Sequence, residues 1–199
     1  MIQQQESKFK RGFKTWADKK SISIRLDLGL YASSHLSAFD LCKHLGIPVY
    51  LPNEISGLSN NHLDHLLNAG SNSWSAVTIP LENNKHMIIH NPTHSPARQQ
   101  SNLMHELAHI LCGHTVSQDI LDTGLTRLLR CHNDEQEKEA EWFGGCLQLP
   151  RVALVYCLKK NMSLDQIATY YNSSKEMVEF RLNMSGAKKQ VAYINKKVI

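Results

Sequence analysis

His105-Glu106-Leu107-Ala108-His109 is the stretch of this 199-residue sequence whose residue types and spacing could do chemistry. The run reads as helix. Four residues is a little over one turn, so the two imidazoles leave the same face and can clamp a single cation. Glu106 lies about one hundred degrees round from His105, within reach of a water bound to that cation. Two histidines with an intervening glutamate at this spacing are the minimal apparatus of zinc-assisted amide hydrolysis. A catalytic zinc normally has three protein ligands, so one more donor is expected from elsewhere in the chain.

Carboxylates are concentrated in Glu135-Gln136-Glu137-Lys138-Glu139-Ala140-Glu141-Trp142-Phe143. On a helical wheel, Ala140, Phe143, Gly144 and Leu147 make the buried stripe. Glu139 borders the stripe and can be carried against the HExxH helix. Glu135 lies nearer the frayed end, while Glu137 and Glu141 point more towards solvent. A tetrahedral intermediate also needs an oxyanion stabiliser. Tyr156, His114, His132 and Arg98 are candidates that the sequence does not rank.

The elements that position these groups follow from periodicity and punctuation. A basic amphipathic helix is expected over about 7–20, with Phe9, Phe13, Trp16 and Ala17 on one stripe. A second covers Ser37 to Leu45 and stops at Gly46. Ile47 to Leu51 suits a short strand, and Asn60 to Leu67 a helix. Trp74 to Leu81 and His86 to Asn91 read as a hairpin joined by Glu82-Asn83-Asn84-Lys85. The first of these strands could also accept a peptide along its edge. Ser95-Pro96 opens the helix that carries the histidines, and Gly113 ends it. A short helix is expected around Leu121 to Leu129. Another runs from Asn133 or Asp134 to before Pro150, its acidic start suited to the helix dipole. The order is helices, a small antiparallel sheet, then helices, which is α+β.

Beyond Val152 to Lys159, Ser163-Leu164-Asp165-Gln166 is a capping-box pattern, and a further helix starts at Ser173 or Ser174. The pair resembles a helix-turn-helix with Ile167, Ala168, Met177, Val178 and Leu182 between its helices. Its outer face would show Lys175, Glu176, Glu179, Arg181 and Asn183, a mixed set that suits docking better than phosphate contact. With Lys188, Lys189, Lys196 and Lys197 behind it, weak nucleic-acid contact is the most this part would offer. Val191 to Ile199 reads as a strand or a frayed tail. The expected division is a core of residues 1–155 and an appendage of 156–199.

Composition sets the frame. An apolar content of 42% with 20% charged residues excludes wholesale disorder, and a net charge of +4 does not demand a polyanion. Five cysteines, none in CxxC spacing, read as reduced thiols. Met1 to Lys20 offers no apolar signal core, and no run is long enough to span a bilayer. A cytoplasmic protein without membrane attachment is expected, its oligomeric state open.

Two blocks in order carry a family resemblance. The first runs from Ile88-Ile89-His90-Asn91-Pro92 and Arg98 into Met104 to Leu111 and Gly113-His114. The second is Glu137-Lys138-Glu139-Ala140-Glu141-Trp142-Phe143-Gly144-Gly145-Cys146-Leu147-Gln148-Leu149-Pro150. Together they resemble the ImmA/IrrE-type metallopeptidases over roughly residues 25–185. The sequence departs from the family pattern at Glu141, Gly144 and Gln148. The resemblance implies a zincin-like, gluzincin-type core. Its metal ligands would be His105, His109 and Glu139 (the Glu immediately before Ala), its catalytic base Glu106, and its ion zinc, with manganese as the alternative. It further implies regulatory cleavage of a protein partner, a separate helix-turn-helix repressor chain of a mobile element or stress response. The rival reading is a DNA-binding regulator or interaction module that keeps the metal fold without proteolysis.

Overall fold

The computed structural model describes residues 9–114 and 134–197. The helix expected around Leu121 to Leu129, and His132, lie outside the described residues. In chain order the elements are α1 (Phe13–Asp27), α2 (Ala38–His44), β1 (Val49–Tyr50), α3 (Asn60–Leu67), β2 (Ala76–Pro80), β3 (His86–His90) and α4 (Pro96–Cys112). Then follow α5 (Asp134–Gln148), α6 (Arg151–Lys159), α7 (Leu164–Tyr170), α8 (Lys175–Met184) and α9 (Ala187–Lys197).

Five helices start the same way. Ser37, Ser59, Ser95, Ser163 and Ser174 each accept a hydrogen bond from the backbone N–H three residues on, which satisfies a donor the helix cannot. Ser163 and Gln166 complete the expected capping box. The β2–β3 hairpin turns through Asn83 and Asn84, both at positive φ (58° and 56°), as a two-residue type I′ turn requires.

The sheet differs from the expected antiparallel one. Its strand order is β1-β3-β2, with β2 antiparallel to β3 but β1 parallel to it, Val49 opposite Ile88. The long connection through α3 and β2 allows that parallel return, which a tight turn would forbid. β2 is therefore an edge strand of this sheet. Helix α4 packs against both the hairpin and α5.

Among the described residues two apolar clusters fill the interior. One gathers Leu41, Leu103, Met104, Leu107, Phe143 and Leu147; the other gathers Leu149, Leu154, Ile167, Tyr171, Val178 and Leu182. The boundary expected after residue 155 falls inside α6. Two buried guanidiniums tie the clusters together at the C-terminal end of α5. Arg25, 0% exposed, donates to the carbonyls of Ser21, Ser34 and Leu147 at 2.9–3.0 and 2.7 Å. Burial pushes its pKa down to about 10. Arg181 donates to the Leu149 carbonyl at 3.0 Å and faces Asp18 at 3.6 Å.

Three expectations are corrected here. Helix α1 runs to Asp27 because its inner face is Ala17, Ser21, Ile24 and Arg25, half of it polar and so invisible to an apolar-stripe reading. Arg181, expected on the outer face of α8, is 1% exposed. The C-terminal segment is a helix, with Ala187 buried and Val191 packed on the second cluster at i, i+4 spacing.

Candidate metal centre

Helix α4 ends in a Schellman cap. Gly113 sits at φ 69°, its N–H donates to the Ile110 carbonyl, and the N–H of His114 donates to that of His109. Upstream of that cap His105 and His109 share a face, with Nε2 atoms 3.0 Å apart. His109 is 3% exposed, whereas His105 opens to solvent.

The acidic side chain that meets them comes from α5. Gly144 of α5 lies so close to α4 that a Cβ there would stand 3.1 Å from the Met104 carbonyl and 3.3 Å from the His105 Cα. Glu137 is seven residues before Gly144, two turns back on nearly the same line of the helix. Its Oε2 is 3.3 Å from His105 Nε2 and its Oε1 is 3.5 Å from His109 Nε2. Among the described residues His105, His109 and Glu137 form a group able to hold a metal ion.

Glu139 is not in that group. The carboxylate expected as third donor instead places Oε2 3.1 Å from His114 Nε2, and His114 Nδ1 is 3.0 Å from His109 Nδ1. The expectation for Glu139 rested chiefly on the family resemblance, and a wheel does not choose between the two carboxylates, because nearly the whole circumference of α5 is buried from Trp142 to Gln148. The signal that could have decided is Gly144, the small residue that marks which line of α5 touches α4.

Glu106 meets the hairpin from α4. Thr78 of β2 donates its hydroxyl to Glu106 Oε2 at 2.6 Å. Burial raises the pKa of Glu106, opposed by the Thr78 hydroxyl and by the proximity of His105. For His105 burial works against the charged ring, yet the hydrogen bond to Glu137 and the charges of Glu106, Glu137 and Glu141 outweigh it. The field at the site is thus one that favours a cation. A cleft of about 260 Å³ opens beside it, lined by His105, Asp134, Glu137, Lys138 and Glu141.

The donor set fits a divalent transition ion. Around zinc with bonds near 2.05 Å, tetrahedral ligand atoms stand about 3.3 Å apart. The closest approaches of the three side chains, 3.0, 3.3 and 3.5 Å with a different Glu137 oxygen facing each ring, are of that size. Of the other sequence candidates, Arg98 is exposed two turns up α4, Tyr156 is exposed on α6, and His114 is occupied with His109 and Glu139.

The Peptidase_M78 family, described as an IrrE N-terminal-like domain, matches residues 42–183. Among solved structures, a Mycobacterium tuberculosis transcriptional regulator is similar at 13% identity and a TM-score of 0.49. The match covers 87% of this chain and 47% of that one, so the chain spans about half the length of that structure. No curated protein matches it.

Proposed function

The chain belongs to the Peptidase_M78 family, and on that premise we propose that it is a metal-dependent endopeptidase whose ion is held by His105, His109 and Glu137. The observation that carries the reading is the convergence of three donors from α4 and α5 at coordination spacing, with Glu106 one residue from the first of them. A bound zinc would supply Lewis acidity and bring the pKa of a water towards neutrality; manganese is compatible with the same donors.

The chain's own residues do the rest. Glu106 takes a proton from the attacking water and returns it to the leaving amine, with its carboxylate held in place by Thr78. Among the described residues β2 is an edge strand, and that edge offers an extended peptide a strand to pair with, beside Glu106. The substrate we favour is a separate protein chain, a helix-turn-helix repressor, cut at one or few bonds in the cytoplasm. No helix of the described residues is long and apolar enough to cross a membrane.

The DNA-binding alternative loses one of its supports and finds the other already paired at the surface. Arg181 is buried, and Lys175 is engaged with Asp165 at 2.5 Å. The test is Glu106→Gln against such a repressor, with metal content measured on the same sample. The variant should keep about one ion per chain while cleavage falls about 10²–10⁴-fold. Cleavage at the wild-type rate would remove Glu106 from the mechanism.

A further inference from the structure

Among the described residues Glu137 and Glu139 are the α5 carboxylates within 4 Å of a histidine nitrogen, and the proposed ligand set uses the first. Glu139 and His114 remain, and they are built into the site with some care. The Schellman cap at Gly113 folds His114 back beneath His109, and its side chain is only 5% exposed. Glu139, 14% exposed, meets it from the other helix. The result is an unbroken line: Glu139 Oε2, 3.1 Å to His114 Nε2, across the ring to His114 Nδ1, then 3.0 Å to His109 Nδ1.

Hydrogen-bond chemistry gives that line a direction. An ionised carboxylate only accepts, so His114 Nε2–H donates to Glu139. A neutral His114 then has a lone pair on Nδ1, and His109 must supply the proton between the two rings. His109 is thereby the Nδ1–H tautomer, and its Nε2 lone pair faces His105 and Glu137. Reversing the direction would demand a doubly protonated His114 and would put a hydrogen on the nitrogen that a cation needs.

We propose that Glu139 and His114 are positioning residues, a carboxylate–imidazole relay that holds His109 in the orientation and tautomer required of a metal ligand. This rests on the cation site proposed above. Outer partners of ligating histidines act in this way generally, fixing the ring and raising its basicity. Here the relay spends a whole second histidine to reach a carboxylate that direct contact would not bring to His109.

The experiment is zinc affinity by chelator competition on the full chain, for wild type, Glu139→Gln, His114→Ala, their double variant and Glu137→Ala. Thermal unfolding of each metal-free protein controls for folding, and imidazole ¹⁵N shifts of the metal-free chain report the His109 tautomer. Glu139→Gln and His114→Ala should each still bind one zinc, about 10–100-fold more weakly. The double variant should bind no more weakly than His114→Ala, because Glu139 acts only through that ring. His109 should carry its proton on Nδ1 in wild type and lose that preference in both single variants. A further loss from Glu139→Gln in the His114→Ala background would make Glu139 a ligand in its own right and overturn the relay. Unchanged affinity in both single variants, with Glu137→Ala losing the ion, would overturn the relay and leave the site standing. Absence of zinc from wild type, or a Glu137→Ala protein that binds like wild type, would bring down the site and the relay with it.

Discussion

The proton chemistry assigned to Glu106 depends on a neighbour that its own helix does not supply. Thr78 comes from β2, and its hydroxyl is 2.6 Å from Glu106 Oε2. A hydrogen bond to a charged group is worth about 1.5–3 kcal/mol, and the same threonine sits on the strand along which a peptide would pair. Thr78→Val keeps the shape and removes the donor. It should lower kcat about 10–100-fold in a repressor-cleavage assay, with zinc affinity and KM little changed. A rise in KM at constant kcat would instead assign Thr78 to substrate binding. Neither this contact nor the pairing of Glu139 with His114 was legible beforehand, because both join residues far apart in the chain. The HExxH residues were legible because their chemistry is local to one turn of one helix. The choice of a third donor was not: Glu137 and Glu139 differ by about two hundred degrees on α5, and choosing between them requires knowing which line of that helix meets α4.

That line is drawn by Gly144. Its missing side chain lets α5 approach the His105 backbone to within what a Cβ would barely tolerate, and the approach brings Glu137 to the histidines. Gly144→Val would force the helices apart. Overpacking of this kind costs about 1–3 kcal/mol, or a few degrees of Tm in a chain this size. Because His105 and Glu137 lie on opposite sides of the seam, zinc affinity should fall in parallel with the loss of stability. A destabilised variant with undiminished affinity would show that the site does not depend on the α4–α5 spacing. Elsewhere the elements were readable where their signals are short-range. The serine caps set the starts of α2, α3, α4, α7 and α8, and Asn83-Asn84 set the hairpin. They were misread where tertiary contacts override the pattern. In α1, Ser21 and Arg25 occupy the inner face because carbonyls wait for the guanidinium there. In α9, Val191 and Ala187 find the second cluster at helical spacing, although the segment alternates apolar and basic residues.

At the scale of the whole molecule, the ion proposed for the site should stabilise everything to which α4 and α5 are tied. The C-terminal carbonyls of α5 are held by Arg25 from α1, and Leu149 just beyond by Arg181 from α8. Through those two buried side chains, α5 is joined to the first helix and to the C-terminal helices. An ion that binds only the folded chain adds RT ln(1 + [ion]/Kd), about 2.7 kcal/mol at one hundred times Kd. For a chain of this length that corresponds to about 5–10 °C in Tm. Removal of the metal with a strong chelator should therefore shift a single cooperative transition downward, recorded by circular dichroism at 222 nm, rather than split it. A Tm indifferent to chelator would mean that the site carries no structural ion. Two transitions, with only the lower one responsive, would mean that the helices after Pro150 are stable without the metal-binding helices, and that the Arg25 and Arg181 contacts do not couple them. A single shifting transition would place the chemistry of four side chains and the stability of the fold under the same ion.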